Sequence, residues 1–209
     1  MKEKNEKLKK RIITNTSRLF FERGFSKVSM DEVASGLGIS KKTLYQHFPS
    51  KEALLYQVVT DMMEENGSII ESIVDDPKMD FHQKLSLLMN HLSTVISRLY
   101  RPFGDDLRRN APEMWEEVDR FRTKKVLLNF RKLLESGIRQ GVFRKDVDPQ
   151  LMTMVFSTLI QNLIDPRIFS QIPFTAEQVF ETIVEVVFRG ILTETARNEF
   201  VKKIKGVNK

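Results

Sequence analysis

Apolar positions along this chain recur almost everywhere at the spacing of an α-helix, three or four residues apart, and nowhere in the alternating pattern of a half-buried strand. Leu8, Ile12, Thr16, Leu19 and Phe20 mark one face of a first helix that Gly24 stops. Ser29-Met30-Asp31-Glu32 then has the form of a capping box, in which the serine hydroxyl accepts from the Glu32 amide and the Glu32 carboxylate reaches back. It predicts a short second helix ending near Gly36. Gly38 suits a left-handed turn, Ser40 is placed to cap a third helix that ends before Pro49, and Ser50 is placed to cap a fourth, with Glu52 in its positive first turn. Beyond it the pattern predicts helices over about 51–74, 80–99, a broken stretch from 103 to 119, then 120–139, 149–164, 175–193 and a short one over 194–205. The fold class is therefore all-α.

Two short helices joined by Leu37-Gly38-Ile39 fit the spacing of a helix-turn-helix. Val33, Ala34, Leu37, Ile39, Leu44 and Phe48 fall where they would face inward, whereas Lys41, Lys42, Thr43, Tyr45, Gln46 and His47 fall on the outward side of the third helix. Lysine neutralises phosphate, while threonine, glutamine and tyrosine hydrogen-bond to phosphate or to base edges. The N-terminal end of such a helix, here Ser40 with Lys41 and Lys42, is where bases are read, and its dipole adds to phosphate attraction. Tyr45, His47 and Lys51 lie further along, where backbone contacts belong, and the cap residue Ser29 opens the motif on the same side.

Charge supports that placement. The net charge of the 209 residues is +6, and residues 1–60 carry 12 Lys/Arg against 6 Asp/Glu, so the remainder is balanced at 22 of each. A surplus confined to one end suggests a module that meets a polyanion. Lys7, Lys9, Lys10 and Arg11 read first as a solvated helix end, with phosphate contacts as the alternative.

The run from Arg11 to Val59 resembles the N-terminal domain of the TetR/AcrR family of bacterial regulators. The resemblance is carried by Phe20, Gly24-Phe25, Ser29-Met30-Asp31-Glu32-Val33-Ala34 and Gly38-Ile39-Ser40, and above all by the run from Thr43 through Tyr45, Phe48-Pro49-Ser50 and Lys51 to Leu54. It implies a homodimer whose headpieces bind a near-palindromic operator, usually to repress, and which lets go when a small molecule enters the C-terminal domain. It also implies that Thr43, Tyr45, His47 and Lys51 touch DNA, with Lys41 and Lys42 at the variable, sequence-reading positions. Many relatives place Gly or Pro where this chain has Lys42, and a cation there reaches either a guanine or another phosphate. The implied organisation is a DNA-binding domain over 1–50 and a larger effector-binding and dimerisation domain over 51–209.

Past about residue 60 the reading rests on periodicity. Segments 151–164 and 176–192 are apolar nearly all round, which requires cover on two sides; a four-helix interface with a second copy is the favoured source of it, and a central place in a monomer's core is the alternative. Phe156, Ile160, Leu163, Phe180, Ile183 and Val187 are the candidates for that interface. An apolar effector pocket is expected among the middle helices. Met89, Leu92, Ile96, Phe103, Trp115, Phe121, Leu128 and Met154 are its candidate lining, with His91 or Gln161 as the orienting polar contact. The supply of aromatic and methionine side chains favours an apolar or amphipathic effector.

Other classes fit less well. His47, His82 and His91 lie without a partnered acid or nucleophile at a recognisable spacing, the paired acids Asp105-Asp106 and Glu116-Glu117 point different ways on a helix and read as solvated faces, there is no phosphate-cradling glycine loop, and no metal-ligand motif occurs, so neither an enzyme nor a cofactor is expected. With no cysteine, no apolar leader and no stretch of about 18 apolar residues, a cytoplasmic protein is expected. The remaining alternative is an effector-independent or nucleoid-associated DNA-binding protein that uses the same motif.

Overall fold

The computed structural model describes residues 2–99, 102–162 and 173–197, and among them every regular element is helical. The helices are α1 (Lys2–Arg23), α2 (Met30–Leu37), α3 (Lys41–His47), α4 (Lys51–Asp75), α5 (Phe81–Leu99), α6 (Pro102–Asn110), α7 (Pro112–Arg139), α8 (Pro149–Asn162) and α9 (Ala176–Ile191). The all-α expectation holds. One boundary moves: the chain breaks at Ala111, and α7 runs unbroken past residue 120. Pro112 explains it, because a proline in the first helical position loses no hydrogen bond and has its φ already set for a helix. Leu192 ends α9 by turning extended and forming an isolated bridge with Phe143, and of the short helix expected over 194–205 only 194–197 lies within the described residues.

The chain forms two compact units, one of residues 1–66 with 97–121 and the other of 67–96 with 122–209. The first unit thus extends beyond residue 50 and takes in α6 and the start of α7. Its core shows why: Phe103 and Leu107 of α6, both fully buried, join Ile12, Phe20, Val33, Leu44, Phe48 and Leu54 in one apolar cluster. The Phe103 ring lies 4.5 Å from that of Phe21 and stacks on Phe20 at 6.4 Å. A helix-turn-helix of two short helices has too little apolar surface to bury by itself, and α1, α4 and α6 complete it.

The second unit is centred on a cluster of phenylalanines. Phe130 of α7 stacks on Phe156 of α8 at 3.9 Å and meets Phe188 of α9 edge-on, while Phe143 packs between Phe81 and Phe188. Lys84 is buried, and its ammonium donates to the carbonyl of Val74 at 2.6 Å. Two ion pairs, Lys125 with Glu71 and Lys132 with Asp75, tie α7 to the end of α4.

Candidate nucleic-acid interface

Three local devices set the helix-turn-helix. Ser29 caps α2 by accepting from the Glu32 amide at 3.2 Å, Gly38 turns the chain in the left-handed region (φ +66°), and Ser40 caps α3 by accepting from the Thr43 amide at 3.0 Å. The reciprocal half of the predicted capping box is not made. The Glu32 carboxylate pairs with the Arg23 guanidinium at the end of α1 instead, a stronger partner than a backbone amide. Leu44 and Phe48 are buried beneath α3, with Ile39 partly buried beside them. Their burial fixes which side of α3 faces out.

On that side the structure brings the predicted residues to one surface. Lys41, Lys42, Gln46 and Tyr45, the last 47% exposed, are open to solvent, and Thr43 and His47 are half-buried at its flanks. The Thr43 hydroxyl is shared with that of Ser40 at 2.8 Å. The two lysines differ in a way that adjacency in sequence does not reveal. Lys41 pairs with Asp31 of α2 at 2.5 Å, whereas Lys42 has no ion-pair partner among the described residues. Lys51, in the first turn of α4, donates to the carbonyl of Ser26 at 3.1 Å, and its ammonium lies 5.2 Å from the centre of the Phe25 ring. Its neighbour Glu52 is held below the usual carboxylate range by hydrogen bonds from its own backbone amide and from Ser50, as suits a helix N-terminus.

Asp106 of α6, which the sequence reads with Asp105 as a solvated acid, is instead tied into the fold. Its carboxylate accepts from the Ser26 amide at 2.7 Å and from the Asn110 side-chain amide at 2.5 Å. Burial alone would raise its pKa, but the hydrogen bonds from Ser26 and Asn110 and the charge of Lys51 outweigh it and hold the group below the ordinary aspartate range. The only sequence signal for this contact is Gly24, whose φ of +86° and missing Cβ leave room for the carboxylate: a Cβ there would lie 2.8 Å from Asp106 Oδ2.

The candidates in the rest of the chain are redistributed. Phe103 and Trp115 pack in or against the core of the first unit, and Phe121 belongs to that unit too. Met89, His91, Leu92 and Ile96 lie on α5 in the second unit, with Ile96 buried and the others half-buried. Leu128 and Met154 are exposed, at 46% and 60%. Leu163 and the side chain of Gln161 lie outside the described residues. Of the interface candidates, Phe156, Ile160, Phe180 and Val187 are buried in the unit's own core and Ile183 is half-buried. The exposed apolar surface on the same helices is made instead by Leu151, Met154, Val155 and Leu159 of α8 and Val186 of α9. On α8 the phenylalanine cluster takes one apolar face and leaves another, whereas on α9 Val186 stands among exposed Glu181, Glu185 and Arg189. Asn129 of α7, not singled out earlier, is buried with neither amide atom hydrogen-bonded among the described residues. No group of three or more His, Cys, Asp or Glu able to hold a metal occurs among the described residues, and no described helix is long and apolar enough to cross a membrane.

Residues 12–58 match the family model described as bacterial regulatory proteins, tetR family. Over 95% of its length the chain is 55% identical to the uncharacterized HTH-type transcriptional regulator YerO of Bacillus subtilis (strain 168), of which it covers 70%. It is 25% identical over 88% of its length to the HTH-type transcriptional repressor KstR2 of Mycobacterium tuberculosis, covering 92% of that protein. The fold is similar to the crystal structure of a TetR family regulator from Agrobacterium tumefaciens, with a TM-score of 0.65 at 17% identity, covering 90% of this chain and all of that one. A capped helix-turn-helix with a cationic outer face, a family model matched across that motif and a relative this similar over nearly the whole chain lead to one conclusion: the chain belongs to the TetR family of bacterial transcriptional regulators.

Proposed function

We propose that this regulator is a repressor that binds a near-palindromic operator as a homodimer and is released by a small apolar or amphipathic effector. The observation that carries the reading is the outward face of α3, where Lys41, Lys42, Tyr45 and Gln46 are exposed above a fully buried Leu44. A helix so mounted enters the major groove with its N-terminal residues at the base edges. Lys42 is the residue free to read a base, and Tyr45, His47 and Lys51 contact the backbone. The word repressor in the name of KstR2 supports the sense of regulation.

Dimerisation follows from the exposed apolar face of α8 and α9. Met154 at 60% and Val186 at 66% exposure, with Leu151, Val155 and Leu159, form a surface that water penalises and a second copy covers in a symmetric four-helix contact. The effector binds in the second unit, lined by Met89, Leu92 and Ile96 of α5. Asn129 supplies the orienting polar contact, since a buried amide without partners is costly until something pairs with it. Such a protein works in the cytoplasm, beside the chromosome.

Selection of genomic fragments by the purified protein tests the reading. The expected result is a two-fold-related site bound roughly 10³-fold more tightly than random duplex at physiological salt. Uniform binding of all fragments, at micromolar strength or weaker, would support the nucleoid-associated alternative. A thermal-shift screen of apolar compounds tests the effector, and compounds that raise the melting temperature are expected to lower operator affinity.

A further inference from the structure

Ser26 sits in the loop between α1 and α2, and its two backbone groups are held by two different helices. Its N–H donates to Asp106 of α6 at 2.7 Å, and its carbonyl accepts from Lys51 of α4 at 3.1 Å. The loop leads directly into the cap of α2, and Lys51 follows directly on the exit from α3. The helix-turn-helix is therefore pinned at its entrance and at its exit through one peptide segment. Gly24 is part of the same arrangement, because the carboxylate of Asp106 occupies the space a side chain there would need. Asn110, one turn along α6, orients that carboxylate by donating to Oδ1 and leaving Oδ2 to the loop.

We propose that Asp106 is a positioning residue for DNA binding, whose carboxylate holds the α1–α2 loop so that Lys51 and α3 are presented to the duplex in one geometry. The inference rests on the reading of α3 and Lys51 as the DNA-contacting surface. Asp106 itself touches no DNA in this account. It acts through Ser26, and the ammonium of Lys51 is steadied by that carbonyl and by the face of the Phe25 ring.

The chemistry of the seat supplies a selective test. A carboxylate offers two acceptors, one for Ser26 and one for Asn110, whereas an amide offers one acceptor and one donor. In Asp106→Asn the amide oxygen stays on Ser26 and the NH2 faces Asn110, whose own amide turns over to accept from it, so what is lost is the negative charge that strengthens the bond from Ser26. Adding Asn110→Asp returns the charge to the pair, since the amide at 106 donates to the carboxylate at 110, is polarised by it and keeps its oxygen for Ser26. Net charge is that of the wild type in the double variant.

The experiment measures affinity for the duplex recovered by genomic selection, with a scrambled duplex as control, for the wild type, Asp106→Asn, the double variant and Tyr45→Ala. Circular dichroism checks folding, and amide hydrogen exchange at Ser26 is followed without DNA. Asp106→Asn is expected to lose about tenfold in affinity, the effect of losing the charge from one charge-assisted hydrogen bond. It should also flatten the salt dependence by about one unit as Lys51 loses its place, and deprotect Ser26. The double variant is expected to recover to within about twofold of the wild type. A double variant no tighter than Asp106→Asn, unchanged exchange at Ser26, or tighter binding by Asp106→Asn would overturn the proposal. Loss of binding in Asp106→Asn with none in Tyr45→Ala would instead remove α3 as the reading surface and leave Asp106 as a residue that DNA binding requires.

Discussion

Both α3 in the first unit and the α8–α9 pair in the second present an outward face that their own unit leaves uncovered, yet the two faces are chemically opposite. The face of α3 is cationic and polar, rests on Leu44 and Phe48, and begins at a serine cap, Ser40, directly before the residues it presents. The other face is apolar along α8, with Leu151 and Met154 more than half exposed and Val186 the apolar exposed residue of α9, and the phenylalanine cluster behind it decides its direction. A polar face on a capped helix is satisfied in water and waits for a polyanion; an apolar face is not, and calls for permanent cover. In the proposed reading, recognition falls to the first unit and association to the second.

The largest expected effect breaks the contrast on the apolar side. Met154→Glu with Leu159→Glu puts two like charges into the proposed contact, and the variant is expected to sediment as a monomer and lose on the order of a hundredfold in operator affinity, since an unpaired buried charge costs about 3 kcal/mol or more. A variant that remained dimeric would move the contact elsewhere. On the cationic side, Lys42→Ala is expected to cost about 1–3 kcal/mol and to relax preference at one base pair, measured by binding to a set of single-base operator variants. A uniform loss over that set assigns Lys42 to a phosphate.

Smaller effects sharpen the description of the first unit. The Asp106 carboxyl is depressed below its usual value of 3.8, so it contributes stability that is present above that value and is lost as pH falls through the lower folded-state pKa. The wild type should exceed Asp106→Asn in stability at neutral pH, and the gap should close only in that acidic window, as followed by urea unfolding at stepped pH. The smallest effect concerns the Asp31–Lys41 pair. Both partners are largely exposed, so Asp31→Asn is expected to tighten DNA binding by only about twofold at low salt, with the gain disappearing as salt rises.

The helix-turn-helix was legible because its signals are local. Ser29, Gly38 and Ser40 act on backbone groups three to five residues away, and the outward residues of α3 follow from the position of Leu44. The same local reading was wrong about Glu32, since Arg23 of another helix competes for its carboxylate. It also makes Asp106 a solvated acid, because the partner Ser26 is 80 residues distant. In the second unit, periodicity marks α8 and α9 as apolar but not which side of each is interior: Phe156 and Phe180 are buried, and Met154, a pocket candidate, is exposed. Phe103 and Trp115 went to the first core for the same reason, as no local rule says which of two units a helix will join.

Sequence by itself determined the helical class, the capped motif and the cationic side of α3, because hydrogen bonds and side-chain spacing within a turn or two enforce them. Tertiary structure alone decided which apolar face is spent inside, that α6 completes the DNA-binding unit, and that Asp106 and Lys51 hold Ser26 from two sides. Those outcomes depend on contacts between groups distant along the chain, which become fixed only when the cores close.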